Sequence, residues 1–170
     1  MKITASAVSL NVDDVAASAD FLTAHFGFRE EMSADGFASL ARDDTGMNVV
    51  FLRRGMPMLP DDQRDDHATG LILAFEVDNL EGELARLQSE GVAITMPLRS
   101  EEWGERAFQV RDPNGVIIEL LDWNAPAGQQ PDRIRTIHGG DHRAVRLGSL
   151  MAWRLSVQLA SSPAQIPPRL

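Results

Sequence analysis

The chain comes close to repeating itself, and that repeat restricts its fold more than any other feature. Leu10-Asn11-Val12-Asp13-Asp14-Val15 lies over Phe75-Glu76-Val77-Asp78-Asn79-Leu80 at an offset of 65 residues. Gly27-Phe28 lies over Gly91-Val92. The turn-forming run Asp43-Asp44-Thr45-Gly46 lies over Asp112-Pro113-Asn114-Gly115, which sets Met47–Leu52 over Val116–Leu121. A small unit with one apolar face left over needs another unit to cover it, so the repeat speaks for the architecture before any single element is assigned.

Each half reads as βαβββ. In the first, Thr4–Val12 alternates, with Val8, Leu10 and Val12 on one face and Ala7, Ser9 and Asn11 on the other. Asp13 or Asp14 suits the cap of a helix from Val15 to His25, whose Val15, Ala19, Leu22 and Phe26 form an apolar stripe, and Gly27 ends it. Phe28–Met32, Phe37–Arg42 and Met47–Arg53 follow as strands between turn-rich runs. In the second half the strand Leu71–Val77 leads to a helix from Asn79 to Glu90, then to strands Val92–Pro97, Glu105–Arg111 and Val116–Trp123. The expected class is α+β: two tandem βαβββ modules, 1–54 and 71–124, forming a curved sheet around a cavity. The linker 55–70 holds two prolines and four aspartates. Residues 125–170 have no counterpart in the repeat and read as an extension, partly helical over Val145–Leu159 or disordered.

Composition narrows the functions. There is no cysteine, hence no disulfide, thiolate nucleophile or cysteine-held zinc. The net charge of −9 repels phosphate backbones, so nucleic acid is not an expected partner. No run approaches the ~18 apolar residues of a membrane span, and Lys2 is followed by a mixed run rather than a secretory leader. A cytoplasmic location is expected. The charge is uneven: residues 1–124 hold 10 basic and 23 acidic residues, residues 125–170 hold 6 and 2. An acidic body suits neutral or cationic small ligands, and serves solubility equally well.

Two βαβββ repeats, the first opening LNVDDVAASADFLTAHFGF and the second closing WGERAFQVRDPNGVIIEL, resemble the vicinal oxygen chelate superfamily of glyoxalases, bleomycin-resistance proteins and extradiol dioxygenases. The resemblance covers residues 4–124. It implies that each half forms a curved quarter-barrel and that a pair of halves encloses a cavity away from the helices. It implies no single function, because the fold hosts isomerases, dioxygenases, thiol transferases and drug-binding proteins. In the metal-dependent members each half gives one ligand from its first strand and one from its last. Those positions fall here on Ala7, Val50, Ile72 and Glu119. Three of the four offer no lone pair, so neither a metal nor another cofactor is expected. A slip in register would offer Ser9, Asn11, Asn48 or Glu76 instead.

Glu119 stands alone among Ile117, Leu121 and Trp123 on one face of the last strand. It can serve as a relic ligand, a general base, an anchor for a cationic ligand, or the ion-pair partner of Arg106 or Arg111. The string from Trp103 to Gly115 looks most like the antibiotic-binding branch of the family, which implies an indole stacked on a flat ring of the ligand. The candidate ligand-binding residues are Trp103, Glu119, Trp123, Asn11, Ser9 and Arg106; no catalytic residue is assigned. The four histidines share no element at metal spacing, and the methionines read as core filler. The expected function is metal-independent binding of a bulky, aromatic or cationic small molecule by a homodimer. The alternative is a lyase, isomerase or dioxygenase-like enzyme that uses Glu119.

Overall fold

In a computed structural model of the chain, which describes residues 1–123, the repeat becomes two four-stranded sheets, each with one helix. The first module runs β1 (Ala7–Val12), α1 (Val15–Phe26), β2 (Arg29–Ala34), β3 (Phe37–Ala41) and β4 (Asn48–Arg53). The second runs β5 (Ile72–Glu76), α2 (Leu80–Ser89), β6 (Ile94–Ser100), β7 (Glu105–Arg111) and β8 (Ile117–Trp123). The orders are β1-β4-β3-β2 and β5-β8-β7-β6. In each sheet the first strand lies parallel to the last, and the three later strands form an antiparallel meander. The expected helix from Val145 and the whole extension lie outside the described residues.

Local chemistry accounts for the boundaries. Asp14 caps α1 by accepting from Ala17 N at 3.0 Å. Gly27 closes it in the left-handed region (φ 65°), where its N–H donates to Leu22 O. Asn79 caps α2 through Gly82 N. β2 and β6 run past Met32 and Pro97, the ends their alternation predicts. Both are outer strands whose register shifts, at Glu30/Met32 in β2 and twice in β6, which breaks the period-two pattern. Pro97 is tolerated there because an outer strand needs only one ladder of hydrogen bonds.

The core lies on the helix-bearing side of both sheets. Leu10, Val12, Leu22, Phe26, Leu40, Val49 and Phe51 from the first module join Leu73, Leu80, Leu87, Phe108, Val110, Ile118 and Leu120 from the second in one buried cluster. The modules therefore meet through their helix sides. Phe75 of β5 packs against Phe26 and Phe28 with centroids 6.3 and 5.9 Å apart. His25 at the end of α1 meets Glu90 (2.7 Å), and Arg86 of α2 donates to the His25 carbonyl (2.9 Å).

A second tie is made by the Asp112–Gly115 turn. Asn114 Oδ1 accepts from the N–H groups of Asp13 and Asp14 (3.2 and 3.0 Å). Its Nδ2 donates to the Asp14 carbonyl (2.6 Å) and to Ser18 Oγ (2.8 Å). Buried Asp112 accepts from Ser18 Oγ, Asn114 N and Val116 N, so its polar atoms are satisfied. A turn of the second module thus holds the first turn of α1 from 100 residues away.

The opposite faces of the sheets stay open. On the first they carry Ala7, Ser9 and Asn11 of β1 beside Asn48, Val50 and Leu52 of β4. On the second they carry Ile72, Ala74 and Glu76 of β5 beside Ile117, Glu119 and Leu121 of β8. Ile72 keeps 40% of its surface exposed and Met32 keeps 64%. Among the described residues nothing covers Ile72 or Met32, whereas Leu52 is buried and Asn11 is held by the linker.

Candidate functional site

The register of the second sheet decides which polar groups share the open face. β7 pairs Glu105 with Trp123, Ala107 with Leu121, Gln109 with Glu119 and Arg111 with Ile117. On the other side of β8, Ala74 of β5 lies level with Glu119. Side chains level across a pleat point to the same face. Glu119 thus sits among Ala74, Ile117, Leu121 and Gln109, with Glu105 and Trp123 further along the same face.

Gln109 Nε2 donates to Glu119 Oε2 at 2.7 Å. Among the described residues the other carboxylate oxygen has no side-chain partner. Trp103 lies in the tight turn between β6 and β7, half exposed, with its Nε1 donating to Glu105 Oε2 at 3.3 Å. Burial pushes the Glu105 carboxyl above its usual range. The Trp103 N–H and Arg99 oppose that shift, while Glu119 and Glu101 reinforce it. The result is a half-buried apolar surface with both indoles at one end, Trp103 at the turn and Trp123 at the end of β8, Glu105 beside them and Glu119 further along the same face. Glu105 and Glu119 make no ion pair among the described residues.

Glu119 and Trp123 share this face, and Trp103 meets its edge through Glu105, at the Trp123 end and away from Glu119. Arg106 does not share it. It alternates with Phe108 and Val110 on the helix side of β7, where it donates to both oxygens of Asp122 on β8 and pairs with Glu81 of α2. Those two carboxylates raise its already high pKa further. Arg106 therefore bolts α2 to the sheet and leaves Glu119 without a cation. Arg111, the other candidate partner of Glu119, donates to the Gly115 carbonyl instead. Ser9 and Asn11 lie on the open face of the first sheet, and Asn11 Nδ2 donates to the linker carbonyl of Gln63 (3.1 Å). They join Glu119 in one site only if the open face of one sheet is set against that of another.

Two residues of the surface, Glu105 and Gln109, escape a reading of the sequence. The available signal was their alternation with Phe108, which places them on the face opposite the core once β7 is paired with β8.

The donor set does not fit a divalent metal. Of the four positions that the family resemblance assigns to ligands, Ala7, Val50 and Ile72 carry no donor atom and Glu119 alone supplies oxygen. Among the described residues no three His, Cys, Asp or Glu side chains are grouped as a metal site.

Tandem βαβββ modules, each with a parallel pair of first and last strands and a helix-free face, define a class of α+β proteins whose fold alone does not fix their function. The chain belongs to one family of that class: residues 4–120 match the glyoxalase/bleomycin resistance protein/dioxygenase superfamily. Solved structures agree. A glyoxalase/bleomycin resistance protein/dioxygenase from Nocardioides is 19% identical over 86% of this chain and 91% of its own, with a TM-score of 0.57. Lactoylglutathione lyase from Agrobacterium tumefaciens is 15% identical over 69% of this chain and 91% of its own, with a TM-score of 0.57. TioX from Micromonospora sp. ML1 is 26% identical over 71% of this chain and 98% of its own, with a TM-score of 0.54. No curated protein matches the sequence. No helix among the described residues is long and apolar enough to cross a membrane.

Proposed function

We propose that the chain is a metal-independent binding protein of the bleomycin-resistance-like branch, which sequesters a bulky aromatic or cationic small molecule. The observation that carries this reading is the exchange made at the open faces. Three of the four positions that the family resemblance assigns to metal ligands are aliphatic, while the open side of the second sheet carries Glu119 without a cation partner among the described residues and two indoles at one end. Indoles offer a large rigid surface for stacking, and a half-buried carboxylate with a free oxygen offers a charge-assisted hydrogen bond to a cation.

The reading includes a homodimer. The uncovered apolar side chains of both sheets, Ile72 and Met32 among them, favour pairing of two chains. Setting the first sheet of one chain against the second sheet of its partner makes a two-walled cavity and brings Ser9 and Asn11 toward Glu119 and the indoles. The likeness to lactoylglutathione lyase leaves an enzymatic role for Glu119 as the competing reading, but no residue beside Glu119 adds a reacting group to it.

The test is a fluorescence titration of the dimer with a panel of peptide and polycyclic aromatic antibiotics. Saturable binding that weakens by roughly tenfold or more in Trp103→Ala is expected, since losing a stacked aromatic contact costs on the order of 1–3 kcal/mol. Binding unchanged in that variant removes Trp103 from the site.

A further inference from the structure

We propose that Glu105 is a positioning residue for Trp103: its carboxylate tethers the indole to the edge of the open face and releases it on protonation. The backbone alone does not orient this ring. The turn is closed by Glu101 N donating to Glu105 O (2.7 Å) and Gly104 N donating to Glu101 O (3.0 Å), with Gly104 at φ 93°. These bonds fix the Cα of Trp103, yet the residue stays 52% exposed. Its Nε1–H finds one partner among the described residues, Glu105 Oε2. Glu105 stands on the open face opposite Trp123, so this single hydrogen bond ties a ring on an exposed turn to the surface that carries the second indole.

A carboxylate accepts an N–H more strongly than a neutral carboxyl does. The charged groups facing Glu105 are Glu119 from β8, Glu101 from the turn and Arg99 from β6. Burial and the two acidic neighbours raise its pKa, while Trp103 and Arg99 lower it, with a net upward result. The tether therefore loosens at a pH where ordinary surface glutamates are still ionised. For function this rests on reading the open face as the ligand surface: the stacking ring is then held at neutral pH and freed in mild acid, which makes ligand retention pH-dependent.

The test needs no ligand. Trp103 is isolated as the sole indole by Trp123→Phe and Trp153→Phe in the full chain, and acrylamide quenching is followed from neutral pH into acid. Far-UV circular dichroism defines the folded range. Quenching should rise in one step centred above the ordinary glutamate range, and Glu105→Gln, which keeps an acceptor but cannot change charge, should abolish the step. The Nε1–H resonance of Trp103 in the otherwise unaltered protein, assigned with Trp103→Phe, should follow the same step, which keeps the test valid where the two Trp→Phe substitutions perturb the fold. A step that persists in Glu105→Gln, or a resonance that does not move with pH, overturns the tether. A pH-linked Trp103 in a protein that binds no aromatic probe keeps the tether and removes the ligand reading. Probe binding with a pH-independent Trp103 does the reverse.

Discussion

Glu119 shows how much of a residue's chemistry is set by its neighbours. Its type and its apolar flanks are legible in the sequence, and so is the loss of its three metal-binding mates. Its partner is not, because that depends on how β7 registers against β8. The register gives it Gln109, an uncharged donor, and turns Arg106 to the other side. Two outcomes follow. Glu119→Gln should leave thermal stability within a few tenths of a kcal/mol, as expected for a substitution away from core and caps, while weakening cationic probes more than neutral ones of the same shape in parallel titrations. Equal weakening of both would make Glu119 a packing residue. Arg106→Met should act oppositely. It leaves Asp122 and Glu81 without their cation and should lower the melting temperature, with probe affinity unchanged apart from any loss of folded protein.

At the level of elements, every helix and strand among the described residues was legible from alternation, caps and glycine punctuation, with errors at the ends: the bulged β2 and β6 run on further than expected, and β1 begins at Ala7 rather than Thr4. What the pattern could not show is the second use of the Asp112–Gly115 run. Its turn residues are local signals, but the grip of Asn114 on α1 spans 100 residues and leaves no periodic trace. Asn114→Ala should cost ~1–2 kcal/mol, as loss of a helix cap does, and hydrogen exchange should quicken first at Asp13 and Asp14. Uniform quickening across both modules would deny the clasp a local role.

The other tie between the modules titrates. His25 and Arg86 hold Glu90 below the usual carboxylate range. A lowered carboxyl stabilises the fold above its unfolded pKa and loses that contribution as pH falls through the folded value. Glu90→Gln should therefore reduce stability at neutral pH and flatten the acid limb of a pH–stability curve. An unchanged acid limb would assign acid sensitivity elsewhere.

For the whole molecule, family membership and the two-sheet architecture rest on the repeat, which the sequence displays openly. The function does not, since one fold hosts many functions. The account requires those faces to act together across two chains. Ile72→Glu puts a charge on an exposed, uncovered position, so sedimentation should show a monomer that melts close to the parent and binds probe poorly. A dimer that survives this change would place the interface elsewhere.

The central claim is that the open faces bind a ligand with no metal between them, and the most direct measurement joins metal content to binding. Protein purified without chelator is assayed for divalent ions, then titrated with its best aromatic probe before and after chelator treatment. The account predicts no stoichiometric metal and one affinity throughout. A tightly held ion at one per chain, with binding or turnover lost on chelation and restored by that ion, would contradict it.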